Sequence, residues 1–284
     1  VRLGQRPSAN DETRSANNER EEVLAFIDEV GYPVIAKPDV GVGAAATYKI
    51  HNAAELADFF AEKRSVDYLL EAFIGGDLYS FDGLTDRDGN IVFYTVHRFS
   101  QGIMETVNEA LDMYYFSLRD IPEGLKDVGF KAVAAFDIRE RFFHIEFFSV
   151  NGAAVGDLAQ PGDQRWVALE LNMRPPGGLT MDMFNYANDI DLYQQWANVV
   201  VSNSFTAKYT RRYHCGYAGR KQHRTYRLSH VEVLQKYDKF ISHHEAISGI
   251  MAPAIGDYGY VVRARDLSVL LDVIQGILAP PEGG

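Results

Sequence analysis

Glu170-Leu171-Asn172-Met173-Arg174-Pro175-Pro176-Gly177-Gly178 follows directly on the apolar run Val167-Ala168-Leu169. Two prolines and two glycines end the run, so it reads as a strand that stops abruptly. Residues two apart in a strand share a face. Glu170, Asn172 and Arg174 then form one polar row, and Leu169, Leu171 and Met173 point the other way. Carboxylate and amide oxygens beside a guanidinium suit a divalent cation that carries phosphate oxygens. An amphipathic strand with a solvated charged face has the same pattern, and this stretch by itself does not choose between the two.

A second carboxylate-bearing strand precedes it. Phe142-Phe143-His144-Ile145-Glu146-Phe147-Phe148 places His144, Glu146 and Phe148 on one face. A carboxylate in the middle of so aromatic a strand is costly to bury alone. A metal or a cationic partner would account for Glu146; an edge strand in water is the blander account, and the flanking phenylalanines disfavour it. The connection 151–165 is a loop bearing Gly and Asp, so the two strands can lie side by side.

Upstream, residues 2–18 read as an irregular polar lead-in, and from Asn18 the spacing of Val23, Leu24, Phe26, Ile27 and Val30 predicts a helix closed by Gly31. Tyr32 to Pro38 reads as a short buried strand with Lys37 at its end. Gly41, Gly43 and Ala46, with Ala44 and Ala45 between them, fit the G-x-G-x-x-A spacing of a dinucleotide fingerprint. That fingerprint must open a helix, whereas Thr47-Tyr48-Lys49-Ile50 reads as a strand. The unit is therefore strand, small-residue loop, strand. Such a loop lets backbone N–H groups approach phosphates, and an ordinary glycine hairpin reads the same way. Asn52 and Glu55 then open a helix through Leu56, Phe59 and Phe60.

Tyr68 to Leu84 reads as two strands broken at Gly75-Gly76, Asp86 to Asn90 as a turn, and Ile91 to Phe99 as a further strand, which together suggest an antiparallel sheet. Met104 to Arg119 fits strand or loop, and Gly124 to Ala135 reads as a helix. Helices are expected over Met181 to Tyr186 and Ile190 to Val201. Short apolar stretches follow, and a last helix runs from Leu267 to Leu278.

Composition narrows the function classes. A chain of 284 residues holds one large domain or two coupled lobes. Its formal charge of −11, from 28 basic and 39 acidic residues, argues against a general nucleic-acid or anionic-membrane surface. The lone cysteine, Cys215, excludes an intramolecular disulfide framework and fits a reducing compartment. No apolar run reaches the roughly 18 residues of a membrane span. The expectation is a cytoplasmic protein, and because the chain begins at Val1 and not Met, a segment is expected to precede it.

In this order, Gly31-Tyr32-Pro33-Val34-Ile35-Ala36-Lys37-Pro38, the glycine-bearing loop, Leu70-Glu71-Ala72-Phe73-Ile74-Gly75-Gly76-Asp77, His144-Ile145-Glu146-Phe147 and Glu170 to Gly178 resemble the ATP-grasp superfamily from about Asn18 onward. The resemblance implies an α+β fold of two lobes with antiparallel sheets clasping ATP, with a lead-in at 1–17, a small lobe at 18–73 and a large lobe at 74–284. It implies that Lys37 contacts the ATP phosphates under a mobile loop formed by Gly41, Gly43, Ala44 and their neighbours. Glu71, Ala72, Phe73 and Ile74 would form the hinge beside adenine. Asp77 stands where family members often carry a longer Glu that contacts ribose. Glu146, Glu170 and Asn172 would hold Mg²⁺, with Mn²⁺ as the alternative ion, and Arg174 would steady the transferred phosphoryl group. The implied activity is that of a ligase that activates a carboxylate as an acyl phosphate and joins it to an amine. Its partners would be small molecules, without nucleic acid or membrane, and a homodimer is compatible. The alternative is a degenerate nucleotide-binding domain without turnover. The family's N-terminal α/β domain and an additional upstream phosphate-facing cation have no counterpart placed on this sequence.

Other nucleotide readings fail on context. His97-Arg98-Phe99 echoes a kinase catalytic loop but lacks the Asp, and Phe81-Asp82-Gly83 reverses the kinase metal-binding triplet. His97, Arg98, Tyr114, Tyr115, Arg119 and Arg212 are candidates for holding a carboxylate substrate. Arg220, Lys221, His223 and Arg224 form a basic cluster in an acidic chain, which reads either as solvated or as reaching the mouth of a site.

Overall fold

The computed structural model describes residues 2–3, 12–40, 46–63, 65–151, 164–249 and 251–282. The loop residues Gly41, Gly43 and Ala44 lie outside them. The chain falls into two compact units, Val1–Gly75 and Gly76–Gly284, where the sequence expectation set its boundary after residue 73.

The first unit contains β1 (Arg2–Leu3), α1 (Glu12–Val30), β2 (Val34–Pro38), β3 (Tyr48–Ile50), α2 (Ala53–Glu62) and β4 (Tyr68–Ala72). Its antiparallel sheet has the order β1-β4-β2-β3. Val23 and Ile27 of α1 and Leu56 and Phe59 of α2 bury against Val34, Ala36, Ile50, Tyr68 and Leu70. Gly31, at φ +74°, closes α1 and returns its N–H to the Ile27 carbonyl at 2.8 Å, a left-handed cap suited to glycine. Asn52 caps α2, its side-chain oxygen accepting from the Ala54 and Glu55 N–H groups. Two expectations change here. α1 begins at Glu12, ahead of Asn18, and the polar lead-in contributes a strand, because its one large apolar residue, Leu3, buries almost completely while β1 pairs with β4.

The second unit runs β5 (Asp77–Thr85), β6 (Ile91–Phe99), α3 (Ile103–Asn108), β7 (Met113–Ser117), α4 (Glu123–Ala135), β8 (Phe142–Asn151), β9 (Gln164–Asn172), α5 (Thr180–Asn188), α6 (Leu192–Ser202), β10 (His214–Arg220), α7 (His230–Tyr237), β11 (Ile241–Ala246), α8 (Ala252–Ile255), β12 (Tyr258–Ala264) and α9 (Leu267–Leu278). Its strands form one antiparallel sheet in the order β11-β12-β10-β7-β6-β5-β8-β9. The stretch that fitted strand or loop resolves into α3 and β7.

Cross-strand partners share a face, so the pairings assign every inward residue to one of two layers. On one face α5, α6 and α8 cover Leu84, Phe93, Met113, Tyr115 and Val261 with Met181, Met183, Phe184, Leu192 and Ile255. On the other, α4 covers Phe81, Phe143, Ile145 and Phe147, and α7 and α9 cover Ala218, Tyr260 and Val262. The register of β8 against β9 shifts between Glu146 and Phe147: Glu146 faces Glu170, but Phe147 faces Ala168, so Leu169 is an extra residue, a β-bulge. The bulge resets the alternation. Trp166 thereby lies on the α4 side, edge-on to Tyr79, and not on the face that carries Glu170.

α4 approaches the sheet at Gly129, where a Cβ would lie 2.6 Å from the Phe81 ring. That ring stacks on Phe143 and is flanked by Phe130 and Tyr94, so it has little room to give. Gly129→Ala gains up to about 1 kcal/mol of helix propensity and incurs about 1–3 kcal/mol of overpacking. The net expectation is destabilisation by about 1–2 kcal/mol, read as a lower urea midpoint at unchanged slope. A raised midpoint would show that Phe81 yields.

Candidate active site

On the sheet face under α5 and α6 a polar strip crosses β6, β5, β8 and β9. Its outer end is the cross-strand pair Glu146 and Glu170, with His144 opposite Asn172 in the next same-face pair. Two carboxylates directly opposite each other repel. The Glu146 side chain is mostly buried, and its Oε1 lies 3.3 Å from His144 Nε2. Glu170 is exposed, and among the described residues neither its carboxylate nor the Asn172 amide has a partner. Repelling carboxylates next to a free amide oxygen are a donor set that a hard divalent cation would satisfy. Mg²⁺ is commonly held by one or two carboxylates and completed by phosphate and water oxygens. No group of three or more His, Cys, Asp or Glu residues has metal-binding geometry among the described residues, so such an ion would depend on its substrate for the remaining positions.

Behind Glu146 lies a buried network. Asp82 on β5 is fully buried. Its Oδ1 lies 2.6 Å from His144 Nδ1, and its Oδ2 lies 3.0 Å from His97 Nδ1 and accepts from the Ser80 hydroxyl at 2.6 Å. The pairings explain the convergence: Asp82 is opposite His144, Ser80 is opposite His97, and alternation holds Ser80, Asp82, His97 and His144 on one face. Burial alone would push the Asp82 carboxyl up, but the two imidazoles overcome it and hold it well below the usual carboxylate range. Burial would likewise lower His144, yet Asp82 and then Glu146 outweigh it and push the imidazole up to about 10. The raised His144 favours the imidazolium between Asp82 and Glu146, which fixes Glu146 from behind. His97 stacks on Phe184, and its Nε2 is buried without a partner among the described residues.

The first unit supplies the other candidates. Lys37 on β2 and Glu71 on β4 are diagonal neighbours on one face, and Lys37 Nζ lies 2.7 Å from Glu71 Oε2. Both are partly exposed, so the pair contributes about 0–1 kcal/mol and is readily exchanged. β4 ends at Ala72; Phe73 donates its N–H to the Pro33 carbonyl and takes Lys49 Nζ over its ring at 3.6 Å, with Ile74 next in the chain. In the second unit, Asp77 pairs with Arg98 at 3.0 Å on the surface. Arg174 lies beyond the end of β9, so it does not continue the strand row. It is exposed and donates from Nη1 to the Pro175 carbonyl at 2.9 Å.

The remaining sequence candidates are mostly occupied. His97 is 1% exposed, Tyr115 is buried with its hydroxyl 2.8 Å from Thr180 Oγ1, and Tyr114 packs against the core under α7 and α9. Arg119 donates to the Arg265 carbonyl, and Arg212 pairs with Asp189. Burial pushes the Cys215 thiol up, as an inert core residue requires. Sequence reading missed Asp82 and Ser80 as site residues. The available signal was an acid on the buried alternation of β5.

No family model matches the chain. A curated relative, the carbamoyl phosphate synthase large chain, C-terminal section, of Methanopyrus kandleri, is 30% identical over 98 residues, which is 33% of this chain and 17% of that protein. Among solved structures, the L-amino acid ligase of Bacillus licheniformis superposes with a TM-score of 0.65 at 15% identity, covering 89% of this chain and 63% of that one. The ADP complex of an N5-carboxyaminoimidazole ribonucleotide synthetase gives 0.63 at 12% identity, covering 91% and 64%. The biotin carboxylase domain dimer of Hydrogenobacter thermophilus 2-oxoglutarate carboxylase, in complex with MgADP, ADP and bicarbonate, gives 0.58 at 16% identity, covering 90% and 58%. The chain thus spans less than two thirds of the length of each. The fold is common to all three.

The buried pair makes stability depend on pH in the metal-free protein. The depressed Asp82 contributes above its unfolded value near 3.9, and that contribution is lost as pH falls. The raised His144 contributes fully below its unfolded value near 6.5, and that contribution is lost as pH rises toward 10. Urea unfolding free energies measured in EDTA should therefore decline from about pH 6.5 to 9. Asp82→Ala, which strands two imidazoles, should cost about 3–5 kcal/mol and flatten that decline. A wild-type curve as flat as the variant's would break the assignment.

Proposed function

We propose that this chain, which has the ATP-grasp fold, is the nucleotide- and metal-binding part of a ligase that phosphorylates a carboxylate with ATP and joins the acyl phosphate to an amine. The observation that carries the reading is the cross-strand pair Glu146 and Glu170 with Asn172 beside it, an oxygen donor set that among the described residues has no counter-cation except His144.

Each residue then has a task set by its chemistry. Glu146, Glu170 and Asn172 hold Mg²⁺, and Asp82 and His144 keep Glu146 from turning away. When bound, the ion neutralises phosphate charge and orients the γ-phosphoryl group. Lys37 leaves its weak pair with Glu71 for the ATP phosphates. Arg174 spends one of its five N–H donors on the Pro175 carbonyl, leaving the rest for the phosphoryl group. The backbone at Glu71, Ala72, Phe73 and Ile74 receives adenine, Asp77 the ribose, and the loop at Gly41, Gly43 and Ala44 covers the phosphates. A carboxylate oxygen of the substrate forms a bond to the γ-phosphorus as the bond to ADP breaks. The amine nitrogen then attacks the acyl carbon, phosphate departs with the bonding electrons, and the nitrogen releases its proton. Excluding water matters because water would take the same acyl phosphate. Amino acids are the first substrates to try on both sides of the bond, by analogy with the L-amino acid ligase.

ADP release by the full-length protein, measured across a panel of carboxylates and amines, tests the reading. Release stimulated by one pair and lost in Glu170→Gln is the expected result. ATP binding without ADP release under any mixture would instead identify a nucleotide-binding domain without turnover. Lys37→Ala should weaken ATP binding roughly 10- to 100-fold, the value of one charge-assisted contact. Unchanged affinity by calorimetry would remove Lys37 from the site.

A further inference from the structure

The basic cluster at the end of β10 borders a cleft of its own. Arg220, Lys221 and Arg224 line a cavity of about 360 Å³ together with His230 at the start of α7 and the rings of Tyr226, Tyr258 and Tyr260. That volume lies in the range of small-molecule pockets. Arg220 packs against α9 at the end of β10, and β10 stands four positions from β8 in the sheet, so the cleft is separate from the proposed metal site.

Among the described residues its two innermost cations form no ion pair. Arg220 is buried, and its Nε and Nη2 both donate to one neutral acceptor, the Ile277 carbonyl. The Lys221 ammonium is buried too and donates to the Thr106 and Pro253 carbonyls at 3.3 and 3.2 Å. Buried cations answered by neutral carbonyls, and at Arg220 also by the Tyr260 hydroxyl, are costly, and burial lowers the proton affinity of both. The carboxylates nearby are already engaged. Asp112 accepts from Arg224 at 3.0 Å and from the Tyr226 hydroxyl at 2.6 Å, and Asp257 accepts the Gln222 N–H at 2.7 Å. The walls are preformed and flat: the Arg220 guanidinium sits 4.4 Å from the Tyr226 ring and 5.7 Å from that of Tyr260, and His230 lies edge-on to Tyr258 at 4.7 Å.

We propose that this cleft binds a small organic anion built on a flat ring, its phosphate or carboxylate set against Arg220, Lys221 and Arg224 and its ring against the tyrosines. Stacked guanidinium and phenol faces favour a planar ligand, and charge-assisted bonds fix its acidic end.

His230 reports on the cleft without any substitution, because burial, His244 and Arg220 hold its imidazole below the ordinary value. An anion beside Arg220 cancels part of that repulsion. The experiment follows the His230 ring proton by NMR, assigned with His230→Gln, during titration with phenyl phosphate, benzoate and inorganic phosphate. The expected result is saturable movement with one or both ring acids, a raised His230 pKa and clearly weaker binding of inorganic phosphate. The ring acid that binds more tightly identifies the headgroup. Arg220→Met should weaken binding roughly tenfold or more; should it fail to fold, Arg224→Gln on the exposed turn should weaken binding severalfold. Lys37→Ala should leave binding unchanged. An unmoved His230 with every probe, or equal affinity in folded Arg220→Met or Arg224→Gln, would overturn the site. Inorganic phosphate binding as tightly as phenyl phosphate would overturn the ring.

Discussion

Asp82 is a carboxylate with no access to water in the middle of a sheet face otherwise built from Leu84, Phe93, Met113 and Tyr115. A bare charge there would cost several kcal/mol, so the sheet holds together at this point only as far as His97, His144 and Ser80 satisfy it. Those three sit on β6, β8 and β5. The requirement therefore constrains register: a one-residue slip of β8 against β5 would send His144 to the α4 side and leave Asp82 Oδ1 without its imidazole. The same slip would remove Glu146 from its place opposite Glu170. The cost of burying one acid thus protects the geometry of two others.

How much of this was legible follows the physics. Strand alternation put Glu170 and Asn172 on one face and His144 and Glu146 on one face, and both rows stand, because side-chain period two is local information. Arg174 left its row because the strand ends at Asn172, and the chain bends ahead of the two prolines. The bulge at Leu169 was invisible, since alternation alone would have put Trp166 on the same face as Glu170. Asp82 was seen only as part of a reversed kinase triplet, because its partner His144 is 62 positions away and nothing local reports a long-range pairing. The helix α7 was legible yet unread: Ser229 and Glu232 form a full capping box, a signature present in the sequence as S-x-x-E.

The two units divide the chemistry by exposure. The first offers Lys37 in a partly exposed, weakly held pair, which under the proposed function suits a residue that must change partners. The second holds Glu146 through a buried chain of charge-assisted contacts, which under the proposed function suits a ligand that must not move. Glu170 is exposed and without a partner among the described residues, which under the proposed function leaves it free to complete a metal's coordination sphere.

The strand order has a consequence for how the second unit assembles. β5, β6, β8 and β9 are contiguous in the sheet and complete by Asn172, so the strip carrying Asp82, His144, Glu146 and Glu170 can pair while the chain is still being made. β7 then waits with an open edge for β10, whose Gly216 lies roughly one hundred positions beyond its partner Phe116. Until β10 arrives, Met113 and Tyr115 lack the apolar cover of Cys215 and Tyr217. That edge is the segment through which a half-made chain would join another copy of itself.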